Sequence, residues 1–255
     1  MRRATAASVL ALAAALLLSV PARADTIKVL TTGAFREVLL AMATRFQARS
    51  GHTVEVDEGT AGALQKRVDD GETFDVLVLT PAAIARYVQA GRILGGSTTS
   101  LARVGIGVAV RAGAQPPAIR TVAQFRQALL DARAVAYVDP ASGGSSGVYL
   151  AELFKRLGIA EPIAAKSSLA FGGLVAPRLL TGEADIALHQ ISEILLVPNV
   201  VLVGPLPEAI QNYTEYAGGV ATLSAHQAAA SEFLKLLASR ASDDTMRIKG
   251  MVPTH

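Results

Sequence analysis

The chain has 255 residues, with 24 Lys and Arg, 21 Asp and Glu, and no cysteine. Disulfides, zinc–thiolate sites, iron–sulfur clusters, a cysteine nucleophile and the lipid-bearing cysteine of a lipoprotein are therefore excluded. Arg2 and Arg3 precede an apolar run from Ala6 to Val20, and Ala22-Arg23-Ala24 is an A-x-A cleavage site before Asp25, so residues 1–24 read as a secretory signal. The run is shorter than the roughly 20 apolar residues of a membrane span. Removing 24 of 255 residues leaves 231, and the loss of Arg2, Arg3 and Arg23 brings 24 basic residues to 21, equal to the 21 acidic ones. The positive balance belongs to the signal, and no Lys/Arg cluster supports a nucleic-acid partner. The expectation is a soluble periplasmic protein, monomeric and without membrane insertion of the mature chain.

In chain order, Ile27 to Leu30 reads as a strand, followed by Thr31-Thr32-Gly33. Phe35, Val38, Leu39, Met42 and Phe46 then recur at helical spacing up to Gly51. Val54 to Val56 is a second strand, Leu64 to Asp70 a helix, and Asp75 to Leu79 a third strand, apolar on both faces as in a buried parallel sheet. Thr80-Pro81 opens a helix with Thr as N-cap and Pro at the first position. Arg103 to Arg111 is an apolar strand, Gly113 to Pro117 a loop, Val122 to Arg133 a helix, and Ala134 to Val138 a strand. A loop from Asp139 to Gly147 leads into a helix over Val148 to Leu157. Ala184 to Leu188, Val200 to Val203 and Tyr216 to Thr222 are strands, and His226 to Ala238 is a closing helix. Strand, loop, helix in repetition argues a parallel α/β sheet. No fixed repeat, low-complexity segment or Pro-rich linker is present, so domains would be joined by crossing strands.

Chemistry concentrates in the loops after strands, where ligands bind in open α/β sheets. Thr31-Thr32-Gly33, Gly59-Thr60-Ala61-Gly62, Thr80 and Gly143-Gly144-Ser145-Ser146-Gly147 carry glycine or hydroxyl groups and lead into helices. Each helix N-terminus offers unpaired N–H donors and a partial positive charge, hence an anion site. One such loop is an ordinary cap; four in register indicate a small anion. The serine loop lacks the Gly-Lys-Ser/Thr of a P-loop. It matches Gly-x-Ser-x-Gly at Gly143, Ser145 and Gly147, but a hydrolase would need an acid and a histidine such as Asp185 and His226. His52, His189, His226 and His255 are scattered, with no His-x-x-x-His pair, so neither a metal nor another cofactor is expected.

The whole mature chain resembles the type II periplasmic solute-binding proteins, in particular the molybdate-binding proteins of ABC importers. The resemblance lies in Ile27 to Leu30 with its helix, Gly71-Glu72-Thr73-Phe74-Asp75-Val76-Leu77, Gly182-Glu183-Ala184-Asp185-Ile186, Phe233 to Ser239 and Gly250-Met251-Val252-Pro253. It implies an α/β fold of two lobes, each a mostly parallel sheet flanked by helices, with the cleft between them. Lobe 1 is expected over 25–104 plus 217–255 and lobe 2 over 105–216, with crossings near Arg103–Val110 and Tyr216–Thr222. The family's loop serines fall on Ala34 and Ala61, and its binding tyrosine on Gln190, which puts molybdate in doubt. His189-Gln190-Ile191-Ser192-Glu193-Ile194 and Val203-Gly204-Pro205-Leu206-Pro207 resemble a divergent branch with organic-acid ligands, one that includes periplasmic aconitate isomerase.

The leading expectation is capture of an oxyanion or a di- or tricarboxylate for an ABC importer permease. The expected ligand-binding set is Thr31, Thr32, Gly33, Thr60, Ala61, Thr80, Ser145, Ser146, Gly172 and Gln190. The rival is an aconitate isomerase-type enzyme, without cofactor, with His189, Glu58 and Glu193 as candidate catalytic groups and Arg36 and Arg178 as carboxylate clamps. Alternation along a strand expects His189 to point away from the face that carries Gln190.

Overall fold

The computed structural model describes residues 24–254. The first 23 residues of the expected signal, and His255, lie outside the described residues. Strand β1 (Thr26–Thr32) feeds α1 (Gly33–Ser50), whose Phe35, Val38, Leu39, Met42 and Phe46 are buried at helical spacing. Gly51 ends this helix in the left-handed region, its N–H donating to Gln47 O at 2.9 Å. Next come β2 (Thr53–Gly59), α2 (Ala61–Asp69), the fully buried β3 (Val76–Leu79) and α3 (Pro81–Gln89). Strand β4 (Thr99–Arg111) is the longest, with 13 residues. It is followed by α4 (Val122–Asp131), started by a Thr121/Gln124 capping box, and β5 (Val135–Val138). Then follow α5 (Ser145–Arg156), α6 (Ala160–Ala164), β6 (Ser167–Ala170), α7 (Pro177–Leu180), β7 (Ile186–Gln190), α8 (Ile191–Ile194) and β8 (Val200–Pro205). The chain closes with β9 (Tyr213–Val220), α9 (Gln227–Leu237), α10 (Asp243–Ile248) and β10 (Val252–Pro253).

The strands run in the order β2-β1-β3-β9-β4-β7-β5-β6, with β8 and β10 also on β4. Pairs β1–β2, β1–β3, β5–β6 and β5–β7 are parallel; β9 is antiparallel to β3 and β4. Two lobes result because β4 changes partners along its length. From Thr99 to Gly105 it pairs with β9; from Ile106 to Arg111 it pairs with β7 and β8. Each half-sheet is covered on both faces. Phe35, Met42 and Phe233 fill one side of the first lobe and Leu64, Ile84 and Tyr87 the other. Phe125, Leu153 and Phe154 fill one side of the second, and Val175, Leu179 and Ile194 the other.

Helix α5 starts three residues earlier than its apolar pattern implies, at Ser145 rather than Val148. Ser145 and Ser146 thus form its first turn. A side chain at Gly147 would lie 2.2 Å from Val138 O, so glycine lets the helix start against the end of β5.

Candidate functional site

The two lobes enclose a cleft of ≈ 640 Å³, walled by the C-terminal ends of β1, β2, β5, β6 and β7 and the loops beyond them. Of the expected residues, Thr32, Gly33, Glu58, Thr60, Ala61, Ser145, Ser146, Gly172, His189, Gln190 and Glu193 border it, and so does Arg36. Thr31 and Thr80 do not. Thr31 is fully buried on the opposite face of β1 from Thr32, its Oγ1 without a partner. Thr80 is occupied as the cap of α3, accepting from Ala83 N at 3.4 Å. Arg178 is committed elsewhere, donating to Glu183 Oε2 at 2.6 Å and Leu169 O at 2.8 Å. The hydrolase triad does not assemble either: Asp185 pairs with Arg133 and His226 with Asp25.

Two helices point their first turns into the cleft without a side-chain cap. The N-caps Thr32 of α1 and Gly144 of α5 make no such bond, and Gly33, Ala34, Ser145 and Ser146 all border the cavity. Their first-turn amides, lacking partners within the helix, border the same cavity and can serve as anion donors. Arg36 is the cationic side chain on the wall, its Nε 3.6 Å from Glu58 Oε2.

The lobes touch along one side of the cleft. Thr60 Oγ1 donates to Ser142 O at 2.5 Å, and Gly62 N donates to Gly143 O at 3.2 Å. A Cβ on Gly62 would meet Gly143 Cα at 3.0 Å, and one on Gly143 would meet Gly62 Cα at 2.8 Å. The clasp therefore needs two bare backbones. Phe171, 78% exposed, stands on the loop that carries Gly172, which approaches Thr60.

The most perturbed groups lie in the floor. His189 and Glu193 are buried, with Nε2 3.2 Å from Oε2, one helical turn apart across the β7–α8 junction. Burial pushes the His189 imidazole down to about 3. Burial, and then the negative charge of Glu58, push the Glu193 carboxyl up to about 8. Both shifts favour the uncharged forms, with Glu193 Oε2 and His189 Nε2 within hydrogen-bond distance of one another. A Cβ on Gly33 would lie 2.7 Å from Glu193 Oε1 and 3.5 Å from Glu58 Oε2. The two carboxyls therefore converge over the start of α1, one buried, the other half-exposed beside Arg36.

His189 and Gln190 both face the cleft, against the alternation expected of them. Strand β7 ends at Gln190 and the chain turns at once into α8, so the cavity reaches both faces of the strand end. Ala34, the position of a loop serine in the resembling family, borders the cleft, as do Tyr216, Phe171 and Leu174, which were missed as site residues. Tyr216 carries no local signal, since the hydroxyl it meets belongs to Thr32, 184 positions away. Among the described residues no cluster of three or more His, Cys, Asp or Glu suits a metal ion, and no helix is long and apolar enough to cross a membrane.

Comparison with known proteins gives a consistent family. The model of the family described as bacterial extracellular solute-binding protein matches residues 27–252. The chain is 31% identical over 254 residues to an aconitate isomerase from Pseudomonas sp, covering 96% of this chain and 95% of that protein. In fold it is similar to the periplasmic molybdate-binding protein of Azotobacter vinelandii, with a TM-score of 0.74 and 18% identity over 90% of this chain and 100% of that one. It is also similar to the sulfate-binding protein SubI of Mycobacterium tuberculosis, with a TM-score of 0.71 and 17% identity over 90% of this chain and 87% of that one.

Proposed function

The chain belongs to the bacterial extracellular solute-binding protein family, and we propose that it is a periplasmic isomerase that moves a double bond in a small polycarboxylate of the aconitate type. The observation that carries this reading is the buried Glu193 carboxyl, 3.2 Å from His189 Nε2 and converging with the carboxyl of Glu58 over Gly33, its pKa raised by burial. A site that only captures a dianion needs donors; two carboxyls in its wall oppose the ligand. A proton shift needs both an acid and a base, and carboxyls in unlike environments divide those roles.

In this reading the ligand's carboxylates rest on the amides of α1 and α5, on Ser145 and Ser146, and on Arg36. Glu58 takes a proton from the methylene carbon and Glu193 supplies one to the far end of the allylic system. His189 holds the Glu193 proton in place rather than acting as the base. The clasp of Thr60 and Gly62 on the opposite lobe keeps water from the exposed carbanion. A cleft of ≈ 640 Å³ lies within the range of small organic ligands and exceeds what a tetrahedral oxyanion fills. The full-length likeness to a protein called aconitate isomerase supports the same substrate class.

The test is incubation of purified protein with trans-aconitate, followed by proton NMR of the vinyl hydrogens. The expected result is conversion to the cis isomer without added cofactor. Glu193→Gln and Glu58→Gln should each abolish conversion while binding persists. Tight binding with recovery of unchanged trans-aconitate would instead assign the cleft to capture for an ABC importer permease.

A further inference from the structure

Tyr216 takes no part in the roles assigned above, although it is buried in the wall of the cleft. Its ring packs on Phe35 with centroids 5.4 Å apart. Thr32 Oγ1 donates to its hydroxyl at 3.1 Å, so the phenol's own hydrogen is left for another acceptor.

Gln190 is held in a parallel way. Its amide meets Thr214 Oγ1 at 2.8 Å through Nε2, and Oε1 is buried with no partner. An anion in the cleft resolves this orphan. With the amide turned over, Thr214 donates to Oε1 and the NH₂ faces the anion. Thr214 and Tyr216 are two residues apart on β9 and so share one face of the strand. The Gln190 amide and the Tyr216 hydroxyl thus both border the cleft, each tethered by a threonine.

We propose that Tyr216 and Gln190 form a donor pair for the carboxylate oxygen that gains charge when the substrate's proton leaves, which makes Tyr216 a catalytic residue. The inference rests on the proton-transfer reading and deepens it. When Glu58 takes the methylene proton, the C–H electron pair becomes the new double bond. The old double-bond pair moves onto the far carbon and its carboxylate, and that carbon then accepts the Glu193 proton. No electron is gained or lost overall. Between the two transfers the added charge lies on carboxylate oxygen, and donors aimed there stabilise the intermediate more than the substrate. Burial holds the Tyr216 phenol well above its ordinary pKa, so it remains a donor.

Tyr216→Phe keeps the ring and its packing and removes the hydroxyl alone. Two probes are used: turnover of trans-aconitate, and calorimetric binding of propionate 3-nitronate against succinate. The nitronate carries its charge on oxygen, as the intermediate does. Tyr216→Phe should lower turnover by about 10²–10³-fold, the range for one lost oxyanion donor, with trans-aconitate affinity retained. Its preference for nitronate over succinate should fall by a similar factor. Thr32→Val, which removes the tether, should give a smaller loss of the same kind. Wild-type turnover in Tyr216→Phe, or equal losses for nitronate and succinate, would overturn the donor pair. If the wild-type protein converts nothing, the isomerase reading fails, and the nitronate preference alone decides: kept in Tyr216→Phe it overturns the pair, lost it supports it.

Discussion

Glu193 titrates where few carboxyls do, and the stability of the protein should record it. The folded carboxyl lies near 8 against an ordinary value of 4.5. Above pH 4.5 the unfolded chain has released this proton and the folded one has not, so stability falls as pH rises, until about pH 8 is passed. His189 acts in the opposite sense. Its folded value near 3, against 6.5, means that the unfolded chain binds the extra proton, so stability falls as pH drops from 6.5 towards 3. Between 4.5 and 6.5 the two slopes cancel, and from 6.5 to 8 Glu193 acts alone. At about 1.4 kcal/mol per pH unit, that last interval is worth about 2 kcal/mol as an upper figure. For a chain of this size it corresponds to a fall in Tm of about 4–8 °C. The assay is a thermal melt at half-unit steps from pH 4 to 9, on the wild-type protein and on Glu193→Gln. Glutamine keeps a donor for His189 Nε2 but cannot ionise, so the variant should lose the alkaline slope and keep the acid one. A wild-type Tm that is flat from 6.5 to 8, or a slope that survives in Glu193→Gln, would refute the burial argument.

Gly33→Ala places a methyl group 2.7 Å from Glu193 Oε1, so the acid must move; turnover of trans-aconitate should fall about 10²-fold, the effect of a misplacement near 1 Å. Gly62→Ala presses on Gly143 Cα at 3.0 Å and should cost the closed state about 1–3 kcal/mol, as overpacking does, seen as weaker binding by calorimetry and a larger radius of gyration in X-ray scattering. Ser146→Ala removes a buried hydroxyl from the first turn of α5 and should weaken tricarboxylate binding by about 1–2 kcal/mol, the scale of a hydrogen bond to a charged group. Molybdate should bind more weakly than trans-aconitate in the same calorimetric series, because Ala34 and Ala61 offer no hydroxyl and Glu58 repels a dianion.

Much of the fold was legible because strands and helices differ in period. The spacing of Phe35, Val38, Leu39, Met42 and Phe46 identified α1, and Thr80-Pro81 marked the start of α3. The loops after β1, β2 and β5 could be read as helix starts, and Thr32, Gly33, Gly59, Thr60, Gly144, Ser145 and Ser146 from them border one cleft. What sequence lacked was which face each hydroxyl takes. Thr31 and Thr32 are adjacent and alike, yet one is packed in the core and the other meets Tyr216. Alternation failed at His189 and Gln190 because it holds inside a strand, and the cleft lies at the strand's end. Nor could the acidity of Glu193 be read locally. It comes from burial between lobes and from Glu58, which is distant in sequence and near in space only after β2 and α8 have been brought to the same end of the sheet.

These features suggest how little separates capture from catalysis in this fold. Opposed helix starts, closure across the cleft and exclusion of water serve either purpose. Each binds an anion and dries its surroundings, and drying strengthens every charge within. A carboxyl added to such a wall is a liability to capture while it is ionised, since it repels the ligand. The same desolvation removes the liability by keeping the carboxyl protonated, and a protonated carboxyl poised over a bound carboxylate is a general acid. In the proposed isomerase Glu193 would meet that condition through its position on α8, near Gly33 and against His189. Glu58 sits at the half-exposed edge beside Arg36. In the reading proposed here, the division of labour between two chemically identical side chains follows from where the lobes place them: one buried, the other half-exposed beside a guanidinium.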